Sequence, residues 1–324
     1  MLALFRFGLR RLAQTIPLLA IIIAINFTLI HIAPGDPVDV LIGPSEANPE
    51  LIAQLRAEFG LDQPLMTQLV TYYKKILSLD LGQSFRYRES VLDLILSRLP
   101  ATLLLMGSAL VVSTLLAIAL GVVAALKPYS ALDNGTTLVA LAGYSMPVFW
   151  LGQLLLIVFS LQLDWFPAQG MQSLRVPAQG WGKVLDVAHH LVLPAVTYSL
   201  YNLALMFRLT RVKMQDVLAQ DYILTARAKG LSERQVIMRH ALRNAMLPVV
   251  TVLGLNFGFM LAGSVLTETV FAWPGTGRLL YEAILARDYP VLMGLFLCLS
   301  TMVVLINVCT DIAYAVIDPR VAFK

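Results

Sequence analysis

Residues able to cleave, oxidise or ligate are few in this chain, and their spacing is wrong for each of those tasks. None of the seven lysines (74, 75, 127, 183, 213, 229 and 324) is followed by Ser or Thr, so the end of a phosphate-cradling P-loop is missing. His189 and His190 are adjacent, not four residues apart, and no Cys or Glu cluster lies near them; a helical metal pair needs the wider spacing. Cys298 and Cys309 are set eleven residues apart in an apolar run, about 16 Å along a helix. That is too far for a disulfide, and they read as small hydrophobes. The expectation is therefore no catalytic residue and no metal ligand. The remaining pattern belongs to docking. Within Arg208 to Pro248, DYILTARAKG reads as a short helix with Asp221 near its start, Tyr222, Thr225 and Ala226 within it, and Arg227 and Lys229 in its last turn, charges that oppose the helix dipole. Gly230 takes the left-handed position after it, and Ser232 with Gln235 forms an S-x-x-Q box that opens a second helix, to about Ala245. Two capped helices on a fixed turn make a rigid handle for a partner protein.

The composition says what holds this handle. The chain has 324 residues, of which 58% are hydrophobic and 14% charged, with a net charge of +4 and a mean hydropathy of +0.75. Soluble domains average roughly 45–50% apolar and about 25% charged, so the excess needs lipid. Runs of about 20 apolar residues predict six membrane-spanning helices, at 12–32, 102–126, 138–163, 191–209, 248–271 and 291–317. The fourth is the least apolar and contains Pro194 and Asn202. Arg6, Arg10 and Arg11 precede the first apolar run as in a signal peptide, but the run is too long for an h-region and lacks a small-x-small cleavage site; it reads as a retained span. Short loops and tails on one side carry 14 Lys and Arg against four on the other, eight of them in 208–247. The positive-inside rule then places both termini in the cytoplasm.

The long loop 33–101 reads as a small extracytoplasmic helical cap. Asn48, Pro49, Glu50 and Gly60 delimit one helix with Leu51, Ile52, Leu55 and Phe59 as its stripe. A second spans Leu65–Leu77 with Leu65, Leu69, Tyr72, Tyr73 and Ile76 inward, and Ser90 caps a third running toward Pro100. So short a segment buries little core alone, so the cap is expected to rest on the outer ends of the spans or on a partner. In the second span Ala109, Ser113, Ala117, Gly121 and Ala125 recur every four residues, as do Gly254, Gly258 and Ala262 in the fifth; such rows mark close helix packing. Gly143 and Pro147 predict a kink or local unwinding in the third. Glu268 and Asp311 lie toward the ends of their spans, where a charge costs less, and read as structural pairs more than substrate contacts. A helix-turn-helix reading of the basic loop fails, because the segment lacks a third helix and is tethered to lipid at both ends; no nucleic acid is expected.

The inner loop resembles the cytoplasmic loop of ATP-binding-cassette importer permeases, whose signature is E-A-A-x3-G with a hydrophobic-Leu-Pro ending. The corresponding residues are Leu224, Thr225, Ala226 and Gly230, then Leu247 and Pro248. Leu and Thr replace the commonest Glu and Ala, and Pro248 follows the glycine at a longer interval; both departures are similar to the dipeptide, oligopeptide and nickel branch. Further matches are PGDP at 34–37, Gly60 to Pro64, RLPATL from Arg98, YSMPVFWLG from Tyr144, TETVFAWPGTGRLL from Thr267 and RDYP at 287–290. The resemblance implies an all-α permease of the type I importer fold: a cytoplasmic tail at 1–11, a first span at 12–32, an outer helical loop at 33–101, a five-span core at 102–317 containing the coupling loop 210–247, and a cytoplasmic tail at 318–324. It implies that Asp221 to Lys229 acts as a coupling helix in a groove of an ATPase. It further implies a homologous second permease, two ATPase subunits that hold ATP and Mg, an extracytoplasmic binding protein, and a place in the bacterial inner membrane among its lipids. The chain itself would bind no cofactor and would not be an enzyme. Di- or oligopeptides are the expected cargo; chelated nickel or glutathione are the alternatives within the same architecture, and a six-span membrane enzyme or receptor is the alternative outside it.

Overall fold

The computed structural model describes residues 2–32, 49–58, 62–173, 179–263 and 265–317. Its helices are α1 (Leu2–Ile32), α2 (Pro49–Glu58), α3 (Leu65–Leu77), α4 (Val91–Leu126), α5 (Ala131–Ser145), α6 (Val148–Gln162), α7 (Trp181–Leu218), α8 (Asp221–Ala228), α9 (233–263), α10 (Val265–Val270), α11 (Thr276–Ala286) and α12 (Tyr289–Ile317). Among the described residues there is no strand, only an isolated bridge between Gln83 and Ser90. α4, α7 and α12 are each long and apolar enough to cross a bilayer, and two bent pairs, α5 with α6 and the two arms of α9, bring the number to five. α1 carries a shorter apolar stretch, Ala13–Leu29.

The centre is the pair α4–α7, which runs side by side for most of its length. The whole row Ala109, Ser113, Ala117, Gly121 and Ala125 is buried. A side chain at Gly121 would put its Cβ 2.8 Å from Thr210 Cβ and 3.2 Å from the Arg211 backbone nitrogen. Small residues here set the helix separation, and a Ser199 hydroxyl donates to Ala109 O across the contact at 3.0 Å. α7 is the least apolar of the spans because it is the most enclosed: 61% of its most apolar window is buried, against 33% in α4 and in α12. Protein shields it from lipid, so Pro194, Thr197 and Asn202 are tolerated, the latter two bonded back to Leu193 O and Tyr198 O. In the fifth span Gly254 lies so close to α12 that a side chain there would run into Thr310; the side chains around Gly258 and Ala262 fall outside the described residues.

Two expectations are corrected and two are sharpened. The helix expected to stop near Pro100 continues without interruption to Leu126; Ser90 stands at its N-cap but its side chain makes no cap bond. The kink or local unwinding expected in the third span is a full break: α5 and α6 meet at 108° around Met146 and Pro147, because Pro147 has no N–H to continue the ladder. The inner helix expected to end near Ala245 runs on as α9 through a π-helical turn at Val236–Ala241, bending 47° between Met246 and Pro248. The outer cap rests on span ends as expected, through Ser84 and Arg86 on Asp288, and also extends along the flank of α1. Tyr73 Oη donates to Ala20 O, His31 Nε2 and Gln68 Oε1 are 3.1 Å apart, and Phe27 faces Tyr72 at 6.1 Å between ring centres. Within α3, Leu69, Tyr72, Tyr73 and Ile76 turn inward as expected, while Leu65 is 60% exposed. Pro49 and Glu50 open α2; Asn48, Gly60, the PGDP motif, the 318–324 tail and the side chains of Leu51, Leu55, Phe59, Leu247 and Asp311 lie outside the described residues.

The close α4–α7 approach makes a paired prediction on one helix. Gly121→Ala forces α4 and α7 apart and is expected to cost about 1–3 kcal/mol, whereas Gly107→Ala, whose Cβ would meet nothing within 4 Å, is expected to be neutral or slightly stabilising. Thermal aggregation midpoints of the two variants in detergent check this, with only Gly121→Ala falling.

Candidate functional site

The inner handle forms as a closed hairpin. α8 begins at Asp221, after Gln220 at its N-cap, and ends in a double-bonded turn: Gly230 N donates to Arg227 O at 2.9 Å and Leu231 N to Ala226 O at 3.4 Å. Gly230 has φ +76°, the left-handed position that this termination requires. The Ser232–Gln235 capping box forms, with Gln235 Oε1 accepting from Ser232 N at 3.1 Å. Arg227 spans the turn to Glu233 at 2.8 Å; both are exposed, so the pair contributes at most about 1 kcal/mol.

The underside of α8 is apolar. Ile223 is 0% and Ala226 6% exposed, packed with Ala125 from α4, Met214 from α7 and Val236 and Ala241 from α9. This divides the predicted docking residues by role. Asp221, Tyr222, Thr225, Arg227, Lys229 and Gly230 are exposed on the outer surface, while Ala226 belongs to the core and positions them. Tyr222 Oη also accepts from Asn244 Nδ2 at 2.9 Å, tying α8 to α9. Pro248 lies one helix arm away, at the α9 bend. Leu224 is the large apolar side chain most open on this face, 67% exposed. Leu224 is thus an aliphatic knob on a helix wedged against α4, α7 and α9.

A further contact at the inner end was not read from the sequence. Asp133, 1% exposed at the start of α5, receives Arg211 of α7 through Nε and Nη2, at 2.6 and 2.7 Å, together with Tyr129 N at 2.9 Å. Its own N–H is capped by Ser130 Oγ at 3.2 Å. Ser130 and Asp133 give a local helix-start signal in the sequence, but the partner 78 residues away does not.

Two polar knots close the outer end. Glu268, fully buried, accepts from Thr102 Oγ1 at 2.8 Å and from Arg278 N at 2.9 Å; Thr102 Oγ1 accepts in turn from Thr276 N at 2.8 Å. The N-cap of α11 is Gly275, which has no side chain, and any side chain there would strike the Glu268 carboxylate. A distant carboxylate and hydroxyl therefore cap α11, which is the structural role expected of Glu268. In the second knot Asp288 receives Ser84 Oγ at 2.5 Å and Arg86 N at 3.1 Å. Nearby, Glu282 receives Tyr87 Oη at 2.6 Å and Arg278 Nε at 2.8 Å. Burial pushes the Glu282 carboxyl up, but the Tyr87 hydroxyl and the Arg278 guanidinium outweigh it and hold it below the usual range; burial and the same bond push Tyr87 up. Among the described residues no group of three or more His, Cys, Asp or Glu is placed to hold a metal.

Known proteins share this pattern. The family described as binding-protein-dependent transport system inner membrane component matches residues 117–323, and its N-terminal companion matches 4–106. The dipeptide transport system permease protein DppB of Escherichia coli K12 is 42% identical over 338 residues, covering 99% of this chain and 100% of that one. The di/tripeptide transport system permease protein DppB of Pseudomonas aeruginosa is 42% identical over 326 residues, covering 96% and 97%. A putative peptide transport system permease of Brucella abortus is 42% identical over 315 residues, covering 97% and 98%. Among solved structures, the inward-facing MetNI methionine ABC transporter is similar at a TM-score of 0.55 and 14% identity, covering 69% of this chain and 96% of that one, a likeness of fold.

The outer knot has a pH signature. Because the folded Glu282 carboxyl is depressed, its stabilisation is present above the ordinary glutamate value of about 4.3 and is lost as pH falls through the lower folded value. Thermal midpoints are expected to be flat from neutrality to about pH 5 and to fall below that. Tyr87→Phe removes one of the bonds and should lower the midpoint at pH 7 while shrinking the acid-side drop.

Proposed function

The chain belongs to the binding-protein-dependent transport system inner membrane component family, and we propose that it is a permease subunit of an ABC importer that takes up di- or oligopeptides. The observation that carries this reading is α8: a short helix closed by the Gly230 turn, with Leu224 open on its outer face and its underside locked into the ends of three long helices. The peptide relatives at 42% identity over nearly the whole chain favour peptide cargo over chelated nickel or glutathione.

On this reading the chain crosses the bacterial inner membrane six times with both termini in the cytoplasm, the α1 stretch and the two bent pairs serving as spans beside α4, α7 and α12. The uneven Lys and Arg distribution supports that orientation. A homologous permease completes the pathway, an extracytoplasmic binding protein delivers cargo at the end of the Glu268 and Asp288 knots, and two ATPase subunits hold ATP and Mg. The residues given to ATPase contact are Asp221, Tyr222, Thr225, Arg227, Lys229 and Gly230, with Ala226 beneath them and Leu247–Pro248 at the bend that passes the movement on. As the ATPases move on binding and hydrolysing ATP, α8 follows as a rigid body, and the α9 bend converts its displacement into a change of span tilt.

Gly230 tests the coupling. No atom lies within 4 Å of a Cβ built there, so a substitution costs only the left-handed backbone, about 1–2 kcal/mol for an ordinary residue and less for Asn. Gly230→Val is expected to insert and assemble yet lose most ATP-driven dipeptide uptake in proteoliposomes, while Gly230→Asn keeps most of it. Wild-type uptake by Gly230→Val would remove α8 from the coupling path.

A further inference from the structure

The break between α5 and α6 stands at the depth of the middle of α7: Gly143 packs beside Leu200 and Gly152 beside Thr197. Non-helical backbone at that depth is tolerated only when buried in protein or facing water, never against lipid tails. Yet the residues around the break are open: Tyr144 is 54%, Phe149 42% and Trp150 43% exposed. Tyr144 stacks on Tyr201 of α7 at 5.5 Å and 19° between planes. From Tyr201 an uncovered stripe descends the otherwise enclosed α7 through Leu205 (47% exposed), Arg208 and Val212 (39%), spacings of one helical face. Among the described residues no carboxylate pairs with Arg208, about 10 Å below Tyr201 along the axis. A broken backbone, stacked phenols and an unpaired guanidinium in line do not make a lipid-facing surface.

We propose that this face is a wall of the translocation pathway, where the Tyr144–Tyr201 pair meets the peptide at mid-membrane and Arg208 takes its C-terminal carboxylate on the way inward. The cargo half of this assignment rests on the peptide-importer reading; the wall half does not. Phenols offer flat apolar area plus a hydroxyl for a peptide main chain of any sequence, and a guanidinium pairs with the group every free peptide carries at its end.

The test uses the assembled transporter in proteoliposomes, with Cys298→Ser and Cys309→Ser as background. Tyr144→Cys is expected to react with a membrane-impermeant, water-soluble maleimide and to be shielded by dipeptide supplied with the binding protein. Leu115→Cys, on an apolar face of α4, is expected to resist. Arg208→Gln is expected to lower uptake of a free dipeptide by about tenfold relative to its C-terminal amide, the size of one lost charge-assisted bond, with Arg208→Lys restoring part of it. A Tyr144→Cys thiol that resists the reagent as Leu115→Cys does, or cross-links to the second permease without ever being labelled, overturns the wall. Equal loss for dipeptide and amide overturns the carboxylate role. If the unmodified transporter takes up no dipeptide while Tyr144→Cys is still labelled, the peptide reading fails and the wall stands.

Discussion

The approach of α4 to α7 is the constraint on which the rest depends. Their separation is set by a row of five small residues in which Gly121 meets Thr210, and each region described above is attached to this pair. At its outer end, Ala101 O takes the Trp273 indole and Thr102 ties to Glu268 and Thr276. At its middle, Gly143 of the broken helix packs on Leu200. At its inner end, Ala125 and Met214 form the bed of α8. Lipid offers no hydrophobic drive for one apolar helix to join another, so packing of this kind and internal hydrogen bonds carry the association. Any element rigidly attached to both helices moves when they move.

Polar groups in the structure follow from the same absence of water. Thr102, Glu268, Thr276 and the N–H of Arg278 are bonded to one another, and Asp288 binds an outer-loop hydroxyl and a backbone N–H. Each knot joins segments roughly 170 to 200 residues apart in sequence and each is sealed. A buried carboxylate costs too much to leave partly satisfied, so these are fastenings. Exposed polar and aromatic groups, by contrast, lie at α8 and along the α5–α6 break.

The sequence was most informative where the signal was local. The Leu65–Leu77 helix, the start and glycine end of α8, the S-x-x-Q box and the small-residue row were all legible, because capping chemistry and helical periodicity act within a few residues. The departures occurred where neighbours decide. Pro100 failed to end a helix, and the inner helix ran on past Ala245 into the fifth span. In the third span the kink or unwinding expected at Pro147 became a full break of 108°. The fourth, read as the least apolar, proved to be the most enclosed, which is why its composition could be so polar.

By itself the sequence determined that this is a helical membrane protein with a basic, capped handle between its fourth and fifth spans, and its motifs pointed to the importer family. Those conclusions need only composition, charge asymmetry and short-range backbone chemistry. Tertiary structure alone decided which side of α8 is free, with Ile223 and Ala226 inward and Leu224 outward, and which carboxylates are fastenings: Glu268 with Thr102, Asp133 with Arg211. It also decided that Tyr144 meets Tyr201 beside an open stripe of α7. Those facts depend on contacts between residues tens to hundreds of positions apart, and such contacts are fixed by how closely helices can approach.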